Sequence, residues 1–481
     1  MEQRDSGGLT GEGVLLLDHY DEMAEMLKDS FRRAGFSGPV IVLSEDAALP
    51  RDASSLYRLA AGDSQACTFP ATARDAAPMT PEQERAYRLA HAGWTPGEGR
   101  FFNQIELPDF WEIKADGSSA KVYDKNHLRA RVFYAHTEAS RIVHDVDWLD
   151  EDGKVRFTDH YDLEGLLYAR TTFNEREERF CCSWFDELGR ERLVENYVTG
   201  DILVTRNGEI RRFGNRTELA VAILRELGLE GQRIFYNSLS TPFFVSEAMP
   251  KPAGGNVLFW QERPRNDIPG NMQMILKGNS HTCDILVQNA DSCEKLLALG
   301  ASGDYVRPFG FAYGFERKNA GTDEVLICTN SDQIESLGDI VDGLPEMTFH
   351  IAAVTEMSSK LLSFGARPNV RLYPVASREL LARLFRECDW YLDINYGSEI
   401  FSAVKRAFLN DQLVLGFSKT LHRPRYVDSA HVFEQSGDLV RLVRQLRDSS
   451  EEFQHHLEMQ RAAAMAEKPC AYRRLFEEHA R

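Results

Sequence analysis

The sequence predicts a protein of two α/β domains, the first of which is interrupted by an antiparallel β-meander. Three observations support this fold class. Short apolar runs alternate with stretches of helical spacing at the start of the chain, period-two runs replace them between about residues 101 and 215, and the first alternation then returns. The length of 481 residues leaves room for two or three such domains.

The chain opens with a predicted strand, helix and strand. Apolar runs at 13–18 and 40–43 have the length of buried strands, and residues 22–33 carry apolar side chains at helical spacing. We assign this βαβ start to a first Rossmann-like domain, whose N-terminal part covers 1–100. Within it, the stretch 44–98 is rich in Ala, Asp and Pro, and we expect it to be irregular.

The stretch 101–215 is predicted to be the β-meander insertion. Its alternating runs are separated by turn dipeptides such as Asp152-Gly153 and Asn207-Gly208, which are strong hairpin signals. The segment WLDEDGKVRF (148–157) also matches WFDELGRERL (184–193) at Trp, Asp, Glu, Gly and Arg. Either an internal duplication or a shared hairpin geometry explains this match.

The α/β alternation returns after the meander. Residues 216–315 complete the first Rossmann-like domain, a linker rich in Gly and charge follows, 322–450 form a second Rossmann-like domain, and the tail 451–481 is predicted to be helical. The predicted strands of the second domain are 325–328, 348–354, 370–373, 390–394 and 413–417. Ligands of such domains usually bind at the carboxyl ends of the parallel strands.

The bulk composition argues against several classes of function. The formal net charge of −18 repels phosphate backbones, so we expect no nucleic-acid partner. No apolar stretch reaches about 18 residues and the N-terminus has no apolar core, which predicts neither a membrane-spanning helix nor a secretory signal. The eight cysteines form no CxxC pair, which argues against a zinc site and favours a reducing compartment. We therefore expect a cytoplasmic protein.

The predicted second domain lacks two features that retaining glycosyltransferases of the GT-B type use to hold a nucleotide sugar. In those enzymes a Glu facing the sugar is followed eight residues later by a second Glu that binds the ribose; here SEIFSAVKRAF offers Glu399, and the eighth residue after it is Ala407. They also neutralise the donor diphosphate with Arg and Lys near the start of this domain. No Lys or Arg occurs between Asn319 and Ser359, a stretch with eight acidic residues. We therefore expect this chain to bind a nucleotide-sugar donor only weakly.

Several longer motifs resemble one family, the GtfB-type subunit of bacterial adhesin O-glycosylation. They are FFNQIELPDFWEI (101–113), YDKNHLRARVFY (123–134), NSLSTPFFVS (237–246), LFWQE (258–262), PGNMQMIL (269–276), TNSDQI (329–334), FHIAAVTEMSSKLL (349–362), NVRLYP (369–374) and CDWYLDINYGSEI (388–400). The resemblance extends over about residues 14–435. Tyr396 departs from it, because a His is expected at that position, and the stretch 44–98 is longer than expected.

The resemblance implies a GT-B-like fold and a specific role. Proteins of this family stabilise a catalytic glycosyltransferase of the GtfA type and engage the acceptor, a serine-rich repeat adhesin of the accessory Sec system. The partner transfers N-acetylglucosamine from UDP-GlcNAc to Ser and Thr, so no cofactor is expected on this chain. A hetero-oligomer is implied, cytoplasmic or peripheral at the inner face of the membrane. An active retaining GT-B transferase and a scaffold that never touches acceptor are the alternatives.

No catalytic or metal-binding residue is assigned to this chain. Polar and aromatic residues near predicted strand ends are the acceptor-binding candidates, because a Ser/Thr-rich polypeptide offers hydroxyls and amides. They are Asn237, Trp260, Gln261 and Asn271 in the first domain, and His350, Thr355, Glu356, Asp393, Asn395 and Glu399 in the second. Core packing for Trp260, a buried hydrogen bond for His350 and helix capping for Thr355 are the structural alternatives.

Overall fold

A computed structural model describes residues 12–44, 49–61, 99–135, 141–186, 188–206 and 208–477. The chain divides into two compact units. Unit 1 comprises Met1–Pro308 with Cys470–Arg481, and unit 2 comprises Phe309–Pro469. Residues 62–98, within the stretch predicted to be irregular, lie outside the described residues, as does Asn207 of the predicted Asn-Gly turn.

Unit 1 contains a parallel sheet of seven strands, with the order β17-β16-β15-β14-β1-β2-β3. Its four central strands are buried throughout, as expected of a sheet with helices on its faces. The seven strands are β1 (Val14–Leu17), β2 (Val40–Val42), β3 (Ser54–Ser55), β14 (Ile234–Tyr236), β15 (Asn256–Trp260), β16 (Thr282–Val287) and β17 (Val306–Pro308). The helices are α1 (Glu22–Arg33), α2 (Leu56–Ala61), α3 (Arg216–Glu226), α4 (Thr241–Ala248), α5 (Gly270–Leu276) and α6 (Ala290–Ala298). Strand β3 and helix α2 correct part of the irregular prediction for 44–98, since buried Leu56, Tyr57 and Leu59 join the core.

The inserted region of unit 1 is an antiparallel meander of ten strands in sequence order. The strands are β4 (Glu112–Ala115), β5 (Ser119–Asp124), β6 (His127–Tyr134), β7 (Val143–Leu149), β8 (Val155–Tyr161), β9 (Leu167–Phe173), β10 (Arg179–Phe185), β11 (Glu191–Asn196), β12 (Ile202–Arg206) and β13 (Glu209–Phe213). The predicted fold class, in which a β-meander interrupts the first α/β domain, is confirmed.

Four successive hairpins of the meander share one turn. An Asx residue at 150, 162, 174 or 186 accepts a backbone hydrogen bond from the residue three positions on, and its side chain accepts from the residues two and four positions on. The fourth residue of each turn has a positive φ. The turns recur every twelve residues, which gives shared hairpin geometry direct support as the reason for the match between 148–157 and 184–193.

The meander is fixed to the parallel part of unit 1 through α2 and α3. The ring of Tyr57 stacks on Trp184 of β10 with centroids 4.2 Å apart and planes 7° apart. Glu195 on β11 accepts hydrogen bonds from the Tyr57 hydroxyl at 3.2 Å and from Arg216 Nε and Nη2 at 2.9 and 3.0 Å. Because Glu195 and Trp184 are both buried, this contact joins the two sheets of unit 1 rigidly.

Unit 2 is built on a parallel sheet of six strands, with the order β20-β19-β18-β21-β22-β23. The strands are β18 (Glu324–Thr329), β19 (Thr348–Ala353), β20 (Val370–Tyr373), β21 (Trp390–Asp393), β22 (Leu413–Phe417) and β23 (Val432–Phe433). Its helices are α7 (Leu337–Gly343), α8 (Ser359–Leu362), α9 (Arg378–Glu387), α10 (Ala403–Leu409), α11 (Ser436–Asp448) and α12 (Ser450–Ala463). Two clusters of buried apolar side chains lie in this unit.

The last helix, α13 (Pro469–Glu477), lies largely in unit 1. Tyr472 is fully buried and its ring lies 5.3 Å from that of Phe31, and Arg233 donates to the Leu475 carbonyl oxygen at 2.7 Å. The predicted tail 451–481 is therefore divided between the units. All seven cysteines in the described ranges are free thiols. No helix in the described part of the chain is long and apolar enough to cross a membrane.

Candidate functional site

The carboxyl end of β21 in unit 2 carries Asp393, one of the predicted site residues. Its side chain is 2% exposed, and its Oδ1 accepts a hydrogen bond from His422 Nδ1 at 2.6 Å. His422 Nε2 lies 2.7 Å from the Gly397 carbonyl oxygen. The hydrogen bond to Asp393 raises the pKa of His422 to about 9, so both ring nitrogens donate at neutral pH. Asp393 thus fixes the loop that contains His422.

Asn395 lies two residues after Asp393, and its side chain is also hydrogen-bonded within the protein. It is 4% exposed, and its Oδ1 accepts hydrogen bonds from Thr329 Oγ1 at 2.8 Å and from the Gly397 backbone N–H at 3.1 Å. Thr329 ends β18, so Asn395 ties the ends of two adjacent strands together. Its side chain positions the loop after β21.

Glu399 has two partners within unit 2. One carboxylate oxygen accepts a hydrogen bond from the Val404 backbone N–H at 3.0 Å, at the start of α10, and the other lies 2.5 Å from Arg423 Nε. Ala407, eight residues after Glu399, is part of α10 and is fully buried in the core of unit 2. Position 407 therefore cannot present any side chain to a ribose without disrupting that core.

A third ion pair lies at the same edge of the sheet. Lys419 Nζ is 2.9 Å from Glu335, which also accepts a hydrogen bond from the Tyr396 hydroxyl at 2.5 Å. These contacts lower the pKa of Glu335. Lys419, His422 and Arg423 all come from the loop after β22, so basic residues do reach this edge although 319–359 has none. These three residues were not among the candidates predicted from the sequence. The signal that could have identified them is their position directly after the predicted strand 413–417.

The backbone around this edge is strained. Among the described residues outside glycine, Ser336, Val375, Phe401 and Ser402 have φ between +48° and +50°. All four lie in loops that follow strands of the unit 2 sheet. Val375 is β-branched, so its left-handed conformation is especially unfavourable. Clustered strain of this kind is typical of ligand-binding edges.

The other predicted residues of unit 2 lie elsewhere or have different roles. Thr355 and Glu356 are exposed between β19 and α8. The helix cap is Ser358, whose hydroxyl accepts from the Leu361 N–H, so the capping role suggested for Thr355 is wrong. His350 lies within β19, two residues before the level of Asp393, and contacts Glu324 at 2.6 Å and Tyr373 at 2.9 Å.

In unit 1 the predicted residues Asn237 and Gln261 meet at the carboxyl ends of β14 and β15. Asn237 accepts from the Asp18 N–H at 2.9 Å and donates to Gln261 Oε1 at 3.1 Å. Gln261 donates to Gln288 at 2.8 Å, and Gln288 donates to the Tyr472 hydroxyl at 3.1 Å. This chain of amides links the ends of β1, β14, β15 and β16 with α13 and holds the strand ends in place.

Beside these amides lies a pocket of about 350 Å³. It is lined by Ser238, Leu239, Ser240, Trp260, Glu262, Arg265, Pro269, Gly270 and Asn271. Trp260 is 2% exposed and packs in the core, so it forms the floor. Asn271 donates to the Leu239 carbonyl oxygen at 2.9 Å, which shapes the wall. Hydroxyl, amide and charged groups over an aromatic floor suit a polar ligand with some apolar surface.

Across the described ranges, no group of three His, Cys, Asp or Glu side chains is placed to hold a metal ion.

Comparison with known proteins gives consistent matches over most of the chain. Three family models match: the GtfB middle domain at 111–214, the GtfB third domain at 216–299 and the GftB/GlyA-F C-terminal domain at 325–460. The chain is 37% identical to the UDP-N-acetylglucosamine–peptide N-acetylglucosaminyltransferase stabilizing protein GtfB of Streptococcus gordonii over 428 residues, 88% of each chain. It is 34% identical to the protein of that name from Streptococcus agalactiae, over 96% of this chain and 98% of that one.

Solved structures agree with the sequence matches. A chain in a crystal structure of a GtfA/B complex bound to UDP and GlcNAc superposes with a TM-score of 0.82 and 34% identity, over 97% of this chain and 99% of that one. The GT-B-like fold expected from the sequence is therefore shown.

Proposed function

This chain belongs to the GtfB family of glycosyltransferase-stabilizing proteins, and from that membership we propose that it is the non-catalytic subunit of a protein O-glycosyltransferase complex. In this proposal it stabilises a GtfA-type catalytic partner. It also binds the acceptor, a Ser/Thr-rich adhesin polypeptide, while the partner transfers N-acetylglucosamine from UDP-GlcNAc. The relatives' shared name and the structure of a GtfA/B complex support the association with a partner.

The observation that best supports the non-catalytic role is that the cations in the loop after β22 of unit 2 are already ion-paired. Lys419, His422 and Arg423 are each paired with a carboxylate, at 2.9, 2.6 and 2.5 Å. A diphosphate approaching these cations would have to displace a carboxylate that is already in contact and would be repelled by it. The buried Ala407 removes the ribose contact as well.

Acceptor binding is proposed for the accessible polar groups near the strand ends. In unit 1 these are the groups around the pocket that contains Asn271, and in unit 2 they are Thr355 and Glu356. Asn237, Gln261, His350, Asp393, Asn395 and Glu399 act by holding the surrounding loops, since their polar atoms are engaged within the protein. A disordered acceptor pays an ordering cost on binding, so several weak contacts are expected rather than one strong contact.

The test combines partner association with peptide binding. The full chain is titrated with a labelled Ser/Thr-rich peptide, and its co-purification with the catalytic partner and the partner's melting temperature are measured. We expect the partner to melt at a higher temperature in the complex. Asn271→Ala and Glu356→Ala should weaken peptide binding by about 5- to 100-fold, for hydrogen bonds of roughly 1–3 kcal/mol.

Glu458→Ala, which removes an exposed Glu on α12, is the matched control and should leave peptide binding unchanged. If the wild-type chain binds no peptide but still stabilises the partner, the acceptor-binding role is wrong and the chain acts only as a scaffold. Turnover of UDP-GlcNAc by the purified chain alone would instead favour an active transferase.

A further inference from the structure

Phe110 has the most exposed large apolar side chain among the described residues. Its relative exposure is 97%, whereas other exposed phenylalanines such as Phe180 and Phe244 reach 46% and 50%. It lies in the segment LPDFWEI that leads into the edge strand β4. A ring this exposed buries almost no apolar surface against the described residues, so it adds little to the stability of the fold.

The backbone of Phe110 is also strained. The Trp111 N–H donates to the Pro108 carbonyl oxygen at 3.3 Å, which closes a four-residue turn with Phe110 at its third position. There φ is +70°, in the left-handed region where glycine is favoured. A phenylalanine at this position is unfavourable for two reasons: its backbone is in the left-handed region, and its apolar ring is exposed to water.

The neighbouring residues hold the loop rigidly. Ile105 is buried in the apolar cluster of the meander, and Leu107 and Trp111 pack against that cluster. The chain is therefore anchored on both sides of the turn, and the Phe110 ring is presented without a large loss of entropy on binding. Pre-organised aromatic side chains of this kind are typical anchors of protein interfaces.

The charges around the ring indicate the chemistry of the partner. Glu106, Asp109 and Glu112 are exposed around the turn, and one exposed basic residue, Lys114, follows on β4, so the acidic side chains outnumber the basic one. An acidic rim disfavours an anionic membrane. It also disfavours a second copy of this chain, whose net charge is −18. The complementary surface is an apolar pocket with a basic rim on a different protein.

We infer that Phe110 is the central anchor of the interface with the glycosyltransferase partner and inserts into an apolar pocket rimmed by basic side chains. This inference rests on the proposed function, which supplies the partner. It assigns a role to a loop of the meander that lies outside both strand-end clusters described above.

The test measures binding of the full chain to the purified catalytic subunit at low and moderate salt. Phe110→Ala should weaken binding by roughly 10- to 100-fold. Phe244→Ala, a half-exposed phenylalanine on α4, is the matched control and should change it by less than about twofold. The double variant Asp109→Asn, Glu112→Gln should slow association and reduce its dependence on salt.

Phe110→Gly separates interface energy from folding. Glycine relieves the positive φ, so this variant should melt at or above the wild-type temperature and still lose binding as Phe110→Ala does. Wild-type affinity in both Phe110 variants would overturn the inference, as would a loss of self-association instead of partner binding in sedimentation velocity. Failure of the wild-type chain to bind the glycosyltransferase would count against the proposed function itself.

Discussion

Glu399, which the donor-site pattern would place facing the sugar, is hydrogen-bonded and ion-paired within unit 2. Its carboxylate receives the Val404 N–H at the start of α10 and pairs with Arg423 from the loop after β22. Both side chains are mostly buried, at 15% and 27% exposure. The residue thereby holds two loops together, a structural role that competes with any direct contact to ligand.

We predict that Glu399→Ala destabilises the protein. The change leaves Arg423 without its carboxylate and one helix N–H without an acceptor, so the free energy of unfolding should fall by about 1–3 kcal/mol. Glu399→Gln keeps an oxygen for the Val404 N–H and should lose less. Thermal melts of both variants, with Glu458→Ala as the control, measure this. A Glu399→Ala protein that melts like wild type would show that the pair contributes nothing.

His422 predicts a loss of stability at alkaline pH. Its pKa is raised to about 9 from the ordinary 6.5 by Asp393, so the folded state holds a proton that the unfolded state releases earlier. The stabilisation is complete below about pH 6.5 and is lost as the pH rises through about 9. The expected loss is roughly 1–3 kcal/mol.

The control for this pH dependence is His422→Gln, which cannot titrate. It should be less stable than wild type at pH 6 and should lose less stability between about pH 7 and 9.5. Denaturant midpoints measured across this range for both proteins give the comparison. Parallel pH profiles for the two would mean that another group is responsible.

The candidate site could be predicted only in part. Asp393, Asn395 and Glu399 were found because polar residues at the end of an apolar strand mark a sheet edge. Their partners His422 and Arg423 are more than twenty residues away, and no local pattern specifies which loop folds back onto a strand end. The cap at Ser358 rather than Thr355 was missed because both residue types suit that role and only backbone geometry distinguishes them.

At the level of elements, the meander depends on one repeated turn. Asp186 accepts hydrogen bonds from the Leu188 and Arg190 N–H groups at 3.0 and 2.9 Å, and from Arg190 Nε and Arg192 Nε at 2.8 Å each. Asn174 makes the same two backbone contacts in the preceding hairpin turn, one strand earlier, without a charge. The turn therefore needs the side-chain oxygen, and the arginine pairs are specific to Asp186.

This comparison predicts a graded effect at position 186. Asp186→Ala removes all four hydrogen bonds and should lower the free energy of unfolding by about 1–3 kcal/mol. Asp186→Asn keeps the turn acceptor, as Asn174 does naturally, and should lose less than half of that. Thermal melts rank the three proteins. Equal destabilisation by Ala and Asn would place the whole effect in the arginine pairs.

Elements with a strong hydrophobic period were predictable, and short connecting elements were not. Helix α1 at Glu22–Arg33 and strand β22 at Leu413–Phe417 have the predicted bounds, since their apolar residues recur at one clear spacing. Helices α4 and α5 were not predicted, because TPFFVSEA and GNMQMIL are short and lack a clear amphipathic period. Their helical state depends on packing of Phe243, Val245, Met272 and Ile275 into the core.

At the level of the whole molecule, each parallel sheet has strand ends that are held by the protein's own side chains. In unit 1 a chain of amides from Asn237 to Gln288 does this, and in unit 2 three ion pairs do so. An enzyme would leave such groups available for its donor and would pay for that in stability. The three paired cations at the unit 2 edge therefore fit the proposed non-catalytic role.

Because the cations at the unit 2 edge are already paired, we predict that the isolated chain does not bind UDP-GlcNAc measurably. It should also neither hydrolyse UDP-GlcNAc nor transfer its sugar. Two missing charged hydrogen bonds of roughly 1.5–3 kcal/mol each would weaken donor binding by about 10²- to 10⁴-fold. Calorimetric titration of UDP and UDP-GlcNAc into the purified chain tests binding, and the same titration with the catalytic partner present is the positive control. Robust turnover by the highly purified chain that disappears in Glu399→Ala would contradict the prediction, because it would require the Glu399–Arg423 pair to open and Arg423 to accept the diphosphate.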